Sequence, residues 1–228
     1  MQIAMNKEGA SLLLNNGILQ SLNNCTFLKI RPEDAKYKKN PNALKRYRRL
    51  LIPILELVNV MLKDNMDNFM AYDMLKFEEW VKNQAVLLHI LQDENKQTTL
   101  SALYILQLTT SLVFQLSCQN DYFVGLENRG LDAVDFATMN LITKYCLSRN
   151  WASVVVPTNE QEEKWATEQV PATVNNLEME SMLVAKADKY IVDVINNLLS
   201  YAQASTFRTI KSQGKMKYLS LKLFNYDI

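Results

Sequence analysis

Gly9-Ala10-Ser11-Leu12-Leu13-Leu14-Asn15-Asn16-Gly17-Ile18-Leu19-Gln20-Ser21-Leu22, running on through Cys25, Phe27 and Leu28 to Arg31-Pro32, reads as an apolar helix that closes near a glycine and resumes at once. A glycine has no Cβ, so it can end one helix in a left-handed conformation and let the next pack closely. Repeated, such corners build an α-α superhelix. The stretch therefore predicts an all-α fold, with Gly17 as a helix junction and the surrounding leucines as core.

Working outward, the expected architecture is an irregular α-α superhelix of the armadillo or HEAT kind, a solenoid fragment occupying residues 1–228 as a single domain. Solenoids of this type bind other proteins more often than they carry out chemistry. The 228 residues are 48% hydrophobic, with a net charge of +1, enough for a sizeable core and unlike a disordered or coiled-coil chain. Cys25, Cys118 and Cys146 are odd in number and widely separated, which argues against a disulfide framework and reads as reduced core thiols. No charged n-region leads into an apolar h-region, so no signal peptide is visible.

Asn40-Pro41 is a helix start, with a cap residue followed by a proline whose fixed φ suits the first turn. Leu44, Tyr47, Leu51, Ile54, Leu55, Val58, Met61 and Leu62 then recur every three or four residues, one helical face meeting a core. Pro53 lies inside that pattern and predicts a kink or break. A further helix is expected from about Phe69, with Phe77, Trp80, Val81, Leu87, Leu88 and Leu91 inward. From Leu100 to Cys118 the chain is apolar nearly all round, the mark of a helix in the middle of a fold. Gln107, Thr109, Thr110, Ser111, Gln115 and Ser117 interrupt it, against a transmembrane reading. Leu131 to Tyr145 predicts another amphipathic helix, and residues 148–176 an irregular acidic loop region. The last long helix runs from about Asn175 to Ser205, with Met182, Leu183, Tyr190, Ile191, Val194, Ile195, Leu198 and Leu199 inward. An apolar pattern already under way at Ile3 and Met5, without a cap, suggests a piece of something longer.

Over about its first hundred residues the chain resembles the C-terminal region of the large α-helical scaffold nucleoporins of the nuclear pore inner ring. The residues that carry the likeness are Gly9-Ala10, Leu13-Leu14, Gly17-Ile18-Leu19, Leu22, Cys25, Phe27-Leu28 and Arg31-Pro32, joined by Arg46-Tyr47 and Leu50-Leu51-Ile52-Pro53. The resemblance implies the tail of a longer superhelical adaptor in the nucleus, at the nuclear pore complex of the nuclear envelope. Such a protein holds other nucleoporins, especially a linker nucleoporin that supplies an amphipathic helical motif. An architecture shared with nuclear transport receptors leaves the alternative of a transport-receptor-like solenoid that binds cargo or FG repeats.

Chemistry-bearing motifs are sparse. His89 is the lone histidine, set among leucines and isoleucine, and no Cys/His spacing suits a metal. No phosphate loop, nucleophile elbow or paired-acid motif appears, so no catalysis, cofactor or metal is expected. For protein binding, the favoured candidate is Phe207, supported by Arg208, Tyr201 and Lys211, because large rings anchor interfaces and arginine orients acidic side chains. A secondary basic surface comprises Lys38, Lys39, Arg48 and Arg49. There a solvated face is weighed first, an acidic protein partner second, and nucleic acid with Tyr37 and Tyr47 as stacking groups last, since the whole chain is nearly neutral.

Overall fold

The chain was described from a computed structural model, in which residues 2–29, 41–65, 71–92, 100–118, 137–142, 185–204 and 206 are placed. A 3-10 turn, Gln2–Met5, leads to α1 (Lys7–Asn15) and α2 (Ile18–Asn23), and a second 3-10 turn spans Thr26–Lys29. Then come α3 (Pro41–Asn65), α4 (Ala71–Asn83), α5 (Ala85–Gln92) and α6 (Leu100–Cys118). Helical residues 137–142 and 185–204 complete the described structure, which contains no strand among the described residues. The all-α expectation holds.

The opening corner forms as its residues require. Asn6 caps α1, its Oδ1 accepting from the Gly9 amide at 2.6 Å. Gly17 takes φ 72°, its amide donating to the Leu14 carbonyl and its carbonyl accepting from Ser21, so one residue ends α1 and starts α2. The close approach lies at the other glycine. A Cβ on Gly9 would sit on the carbonyl oxygen of Ile3, with the carbonyl carbon and Cγ2 of that residue at 2.8 Å. The first 3-10 turn packs on both α1 and α3.

Helix α3 begins at Pro41, as the cap signal predicts, and continues unbroken through Pro53. Of the kink or break expected there, the break does not occur. Pro53 is on the exposed face, where water can serve the Arg49 carbonyl that loses its amide donor. The single helix expected from about Phe69 is instead two, α4 and α5, divided at Gln84. Gln84 is buried, and its Nε2 donates to Asn23 Oδ1 at 2.6 Å, tying the division to the end of α2.

Helix α6 explains its own composition. Ile105, Leu108 and Leu112 join one buried cluster with Leu51, Leu55, Val58, Met61, Phe77 and Trp80. Leu100, Leu103, Leu106 and Val113 join another with Leu91, Ala137, Leu141, Tyr190, Ile191, Val194, Leu198 and Tyr201. A helix between two cores needs apolar residues on both sides. By length and composition Leu100–Ser117 could cross a membrane, with mean hydropathy 1.3, yet 61% of that window is buried inside the fold.

Polar groups set the register across this layer. From α3 to α6, Arg48 Nη1 donates to Ser101 Oγ at 2.9 Å, Tyr104 Oη to Glu56 Oε1 at 2.6 Å, and Asn59 Nδ2 to the Leu108 carbonyl at 3.0 Å. Farther along, Gln115 Nε2 donates to Asn59 Oδ1 at 3.1 Å. The partners advance together along both helices, so α3 and α6 run parallel. The same order relates α6 to residues 185–204. The Tyr104 and Tyr190 rings lie 5.0 Å apart, and Asn197 Nδ2 donates to Thr110 Oγ1 at 3.2 Å. Parallel neighbours with return helices between them are the layering of a stacked helical solenoid.

Candidate protein-binding surfaces

The last described helix has one face in the second core and the other uncovered. Ala187, Tyr190, Ile191, Val194, Leu198 and Tyr201 are buried, whereas Ala185, Lys189, Val192, Asn196, Leu199 and Gln203 are exposed. With Asp188, also exposed, these residues recur at intervals of three and four and so share one face of the helix. Val192 and Leu199, 53% and 51% exposed, put apolar surface on this face. Leu199 is not inward as expected, because its neighbour Leu198 takes the core position and the next residue is turned about 100° away.

Tyr201 is 2% exposed and packs in the second core, so its ring belongs to the support of this helix rather than to its surface. Phe207, Arg208 and Lys211 lie outside the described residues, as do the loop expected at 148–176 and the first part of the long helix expected from Asn175.

The basic run divides. Lys38 and Lys39 lie outside the described residues. Arg48 is half-buried and hydrogen-bonded to Ser101, which makes it a tie between α3 and α6. Arg49 is exposed, as is Arg46 one turn earlier. Tyr47, considered above as a stacking group, points inward: it is 5% exposed, with its ring edge-on to Phe27 at 5.9 Å and 78°. The same three-and-four periodicity that put Tyr47 on the inner face of α3 removes it as a platform for bases. Tyr37 lies outside the described residues.

Behind both surfaces runs the polar seam, which the sequence pattern did not mark because its members sit singly among apolar residues. Asn59 is 7% exposed and also donates to the Leu55 carbonyl at 2.8 Å, while Gln115 Nε2 reaches Ser111 Oγ at 2.8 Å. Burial, then the hydrogen bond and negative charge of Glu56, hold the Tyr104 phenol well above its usual range. Burial, then Glu56 and Asp193, push Tyr190 up to about 12. Both phenols are therefore neutral at ordinary pH, and Tyr104 donates to Glu56.

The remaining candidates are local. His89 is half-buried within α5. Cys25 is a half-buried free thiol, its Sγ 3.5 Å from the Ser21 carbonyl. No grouping of His, Cys, Asp and Glu that could hold a metal occurs among the described residues.

Residues 1–64 match the sequence model of the Nup192 family, described as the nuclear pore complex scaffold, nucleoporins 186/192/205. The matched stretch spans the opening corner and nearly all of α3. No curated protein matches the chain. The likeness to the scaffold nucleoporins is thus carried by the first 64 of the 228 residues.

Proposed function

We propose that the chain is part of a nuclear pore scaffold nucleoporin, as the likeness of residues 1–64 supports, and that it works as an adaptor, without catalysis, that holds a linker nucleoporin through an amphipathic helical motif. The observation that carries the reading is the uncovered stripe of residues 185–204, with Val192 and Leu199 exposed on a helix whose opposite face is anchored in core. A preformed stack offers that stripe at little ordering cost, and the partner segment loses its entropy as it folds against it. Phe207, Arg208 and Lys211 follow the same helix in the chain and are proposed to extend the contact, with Tyr201 supporting it from within. Several such links on connected chains reinforce one another through effective concentration.

Binding of the full chain to helical peptides from a linker nucleoporin, set against FG-repeat peptides, tests this reading. Val192→Glu with Leu199→Glu, and separately Phe207→Glu, should weaken the helical peptide at least about tenfold, as expected when a charge enters an apolar contact. Preferential binding of FG peptides would favour the transport-receptor-like alternative. Unchanged helical-peptide binding in every variant would remove the proposed site.

A further inference from the structure

The first half of α3 carries Lys45, Arg46, Arg48 and Arg49 before any carboxylate appears on that helix. Its first turn holds no acidic residue to complement the positive end of the helix dipole. Like charges three residues apart also oppose one another, as Arg46 and Arg49 do. The arrangement is therefore unfavourable for the helix alone. The fold relieves part of it by turning Arg48 to Ser101. Arg46 and Arg49 remain exposed, and neither has an ion-pair partner among the described residues.

Leu50 is 54% exposed next to them, and exposed Pro53 lies one turn farther on. Proline provides no amide hydrogen, so the Arg49 carbonyl lacks the usual helical donor on this same face. Two exposed guanidinium groups, an apolar side chain and a carbonyl without its helical donor thus share one side of the helix. Nucleic acid fits this poorly, because the adjacent aromatic ring, Tyr47, is in the core and Leu50 would meet phosphate or sugar.

We propose that this face docks an acidic amphipathic helix of another protein, whose carboxylates, three or four residues apart, engage Arg46 and Arg49 while an apolar residue covers Leu50 and Pro53. Arginine suits the task because its planar fork pairs with carboxylates in two parallel hydrogen bonds. The occupant and position differ from those of the stripe on residues 185–204, so either site can fail without the other.

The test uses the full chain and a fluorescein-labelled helical peptide with Glu at three- and four-residue spacing beside a leucine stripe. Its Glu-to-Gln counterpart, a mixed-sequence single-stranded RNA, and phosphatidylcholine–phosphatidylserine vesicles serve as comparisons. The acidic peptide should bind best, more weakly as salt rises. Arg46→Glu with Arg49→Glu should weaken it about tenfold or more and Leu50→Ala severalfold, with thermal unfolding unchanged because all three side chains are exposed. No binding of the acidic peptide at low salt, equal binding of the Gln peptide, indifference to the charge reversals, or preference for RNA or vesicles would overturn the proposal.

Discussion

Tyr104 of α6 donates its hydroxyl hydrogen to Glu56 of α3 over 2.6 Å, joining helices whose contacting residues lie 48 apart in sequence. The Tyr104 ring also lies 5.0 Å from that of Tyr190. One side chain therefore links α3, α6 and residues 185–204.

Alkaline pH should loosen this junction. Tyr190 is raised from 10.0 to about 12 and Tyr104 is raised further, so the folded chain keeps protons that an unfolded chain releases. Their stabilising contribution is complete below the unfolded phenol value, about 10, and is lost as pH rises through the folded values. The urea midpoint of the native chain should fall more steeply in this alkaline window than that of Tyr104→Phe with Tyr190→Phe. At neutral pH, Tyr104→Phe alone should cost about 1–3 kcal/mol, the range for a hydrogen bond to a charged acceptor.

Asn59 and Gln115 offer a second test. Replacing Asn59 by Ala leaves the Gln115 amide without its Asn59 acceptor and removes the side-chain donor that the Leu108 carbonyl has beside its helical one, and should cost about 1–2 kcal/mol by urea unfolding. Gln115→Met should cost less, and the double variant less than the sum of the two. Strict additivity would show that the 3.1 Å contact does not couple α3 to α6.

The two glycines of the opening corner should respond differently. Gly9→Ala forces a methyl group onto the Ile3 carbonyl, so the 3-10 turn must shift and the melting temperature should fall despite alanine's better helix propensity, with a net cost of about 1–3 kcal/mol. Gly17→Ala meets nothing closer than Gln20 Cβ at 3.9 Å and should show only the left-handed backbone cost, about 1–2 kcal/mol. Gly17→Asn should recover part of that loss because asparagine tolerates positive φ.

Arg48 and Arg49 are neighbours with separate duties. Arg48→Ala removes the hydrogen bond to Ser101 and should lower stability by about 1 kcal/mol. Arg49→Ala, on an exposed side chain, should leave stability within about 0.5 kcal/mol. Chemical denaturation of both variants checks the division, and equal losses would refute it.

The amino-acid sequence by itself determined the all-α class, the corner at Gly17, the start of α3 at Pro41 and the central place of Leu100 to Cys118. Each is written in local chemistry: a residue that tolerates positive φ, a proline suited to a first turn, or periodic apolar residues whose burial drives collapse. Periodicity also placed Tyr47 inside, whereas Tyr201, read from sequence as a binding residue, was shown to be core only by the packing of its helix. Tertiary structure alone decided the division of α4 from α5 at Gln84, the continuity of α3 through Pro53, the parallel layer and the separate fates of Arg48 and Arg49. Those outcomes depend on partners 48 to 61 residues away, such as Tyr104 for Glu56, Ser101 for Arg48 and Asn23 for Gln84. A polar side chain's role is set by the donor or acceptor that packing brings to it, and a window of three or four residues contains no record of that distant group.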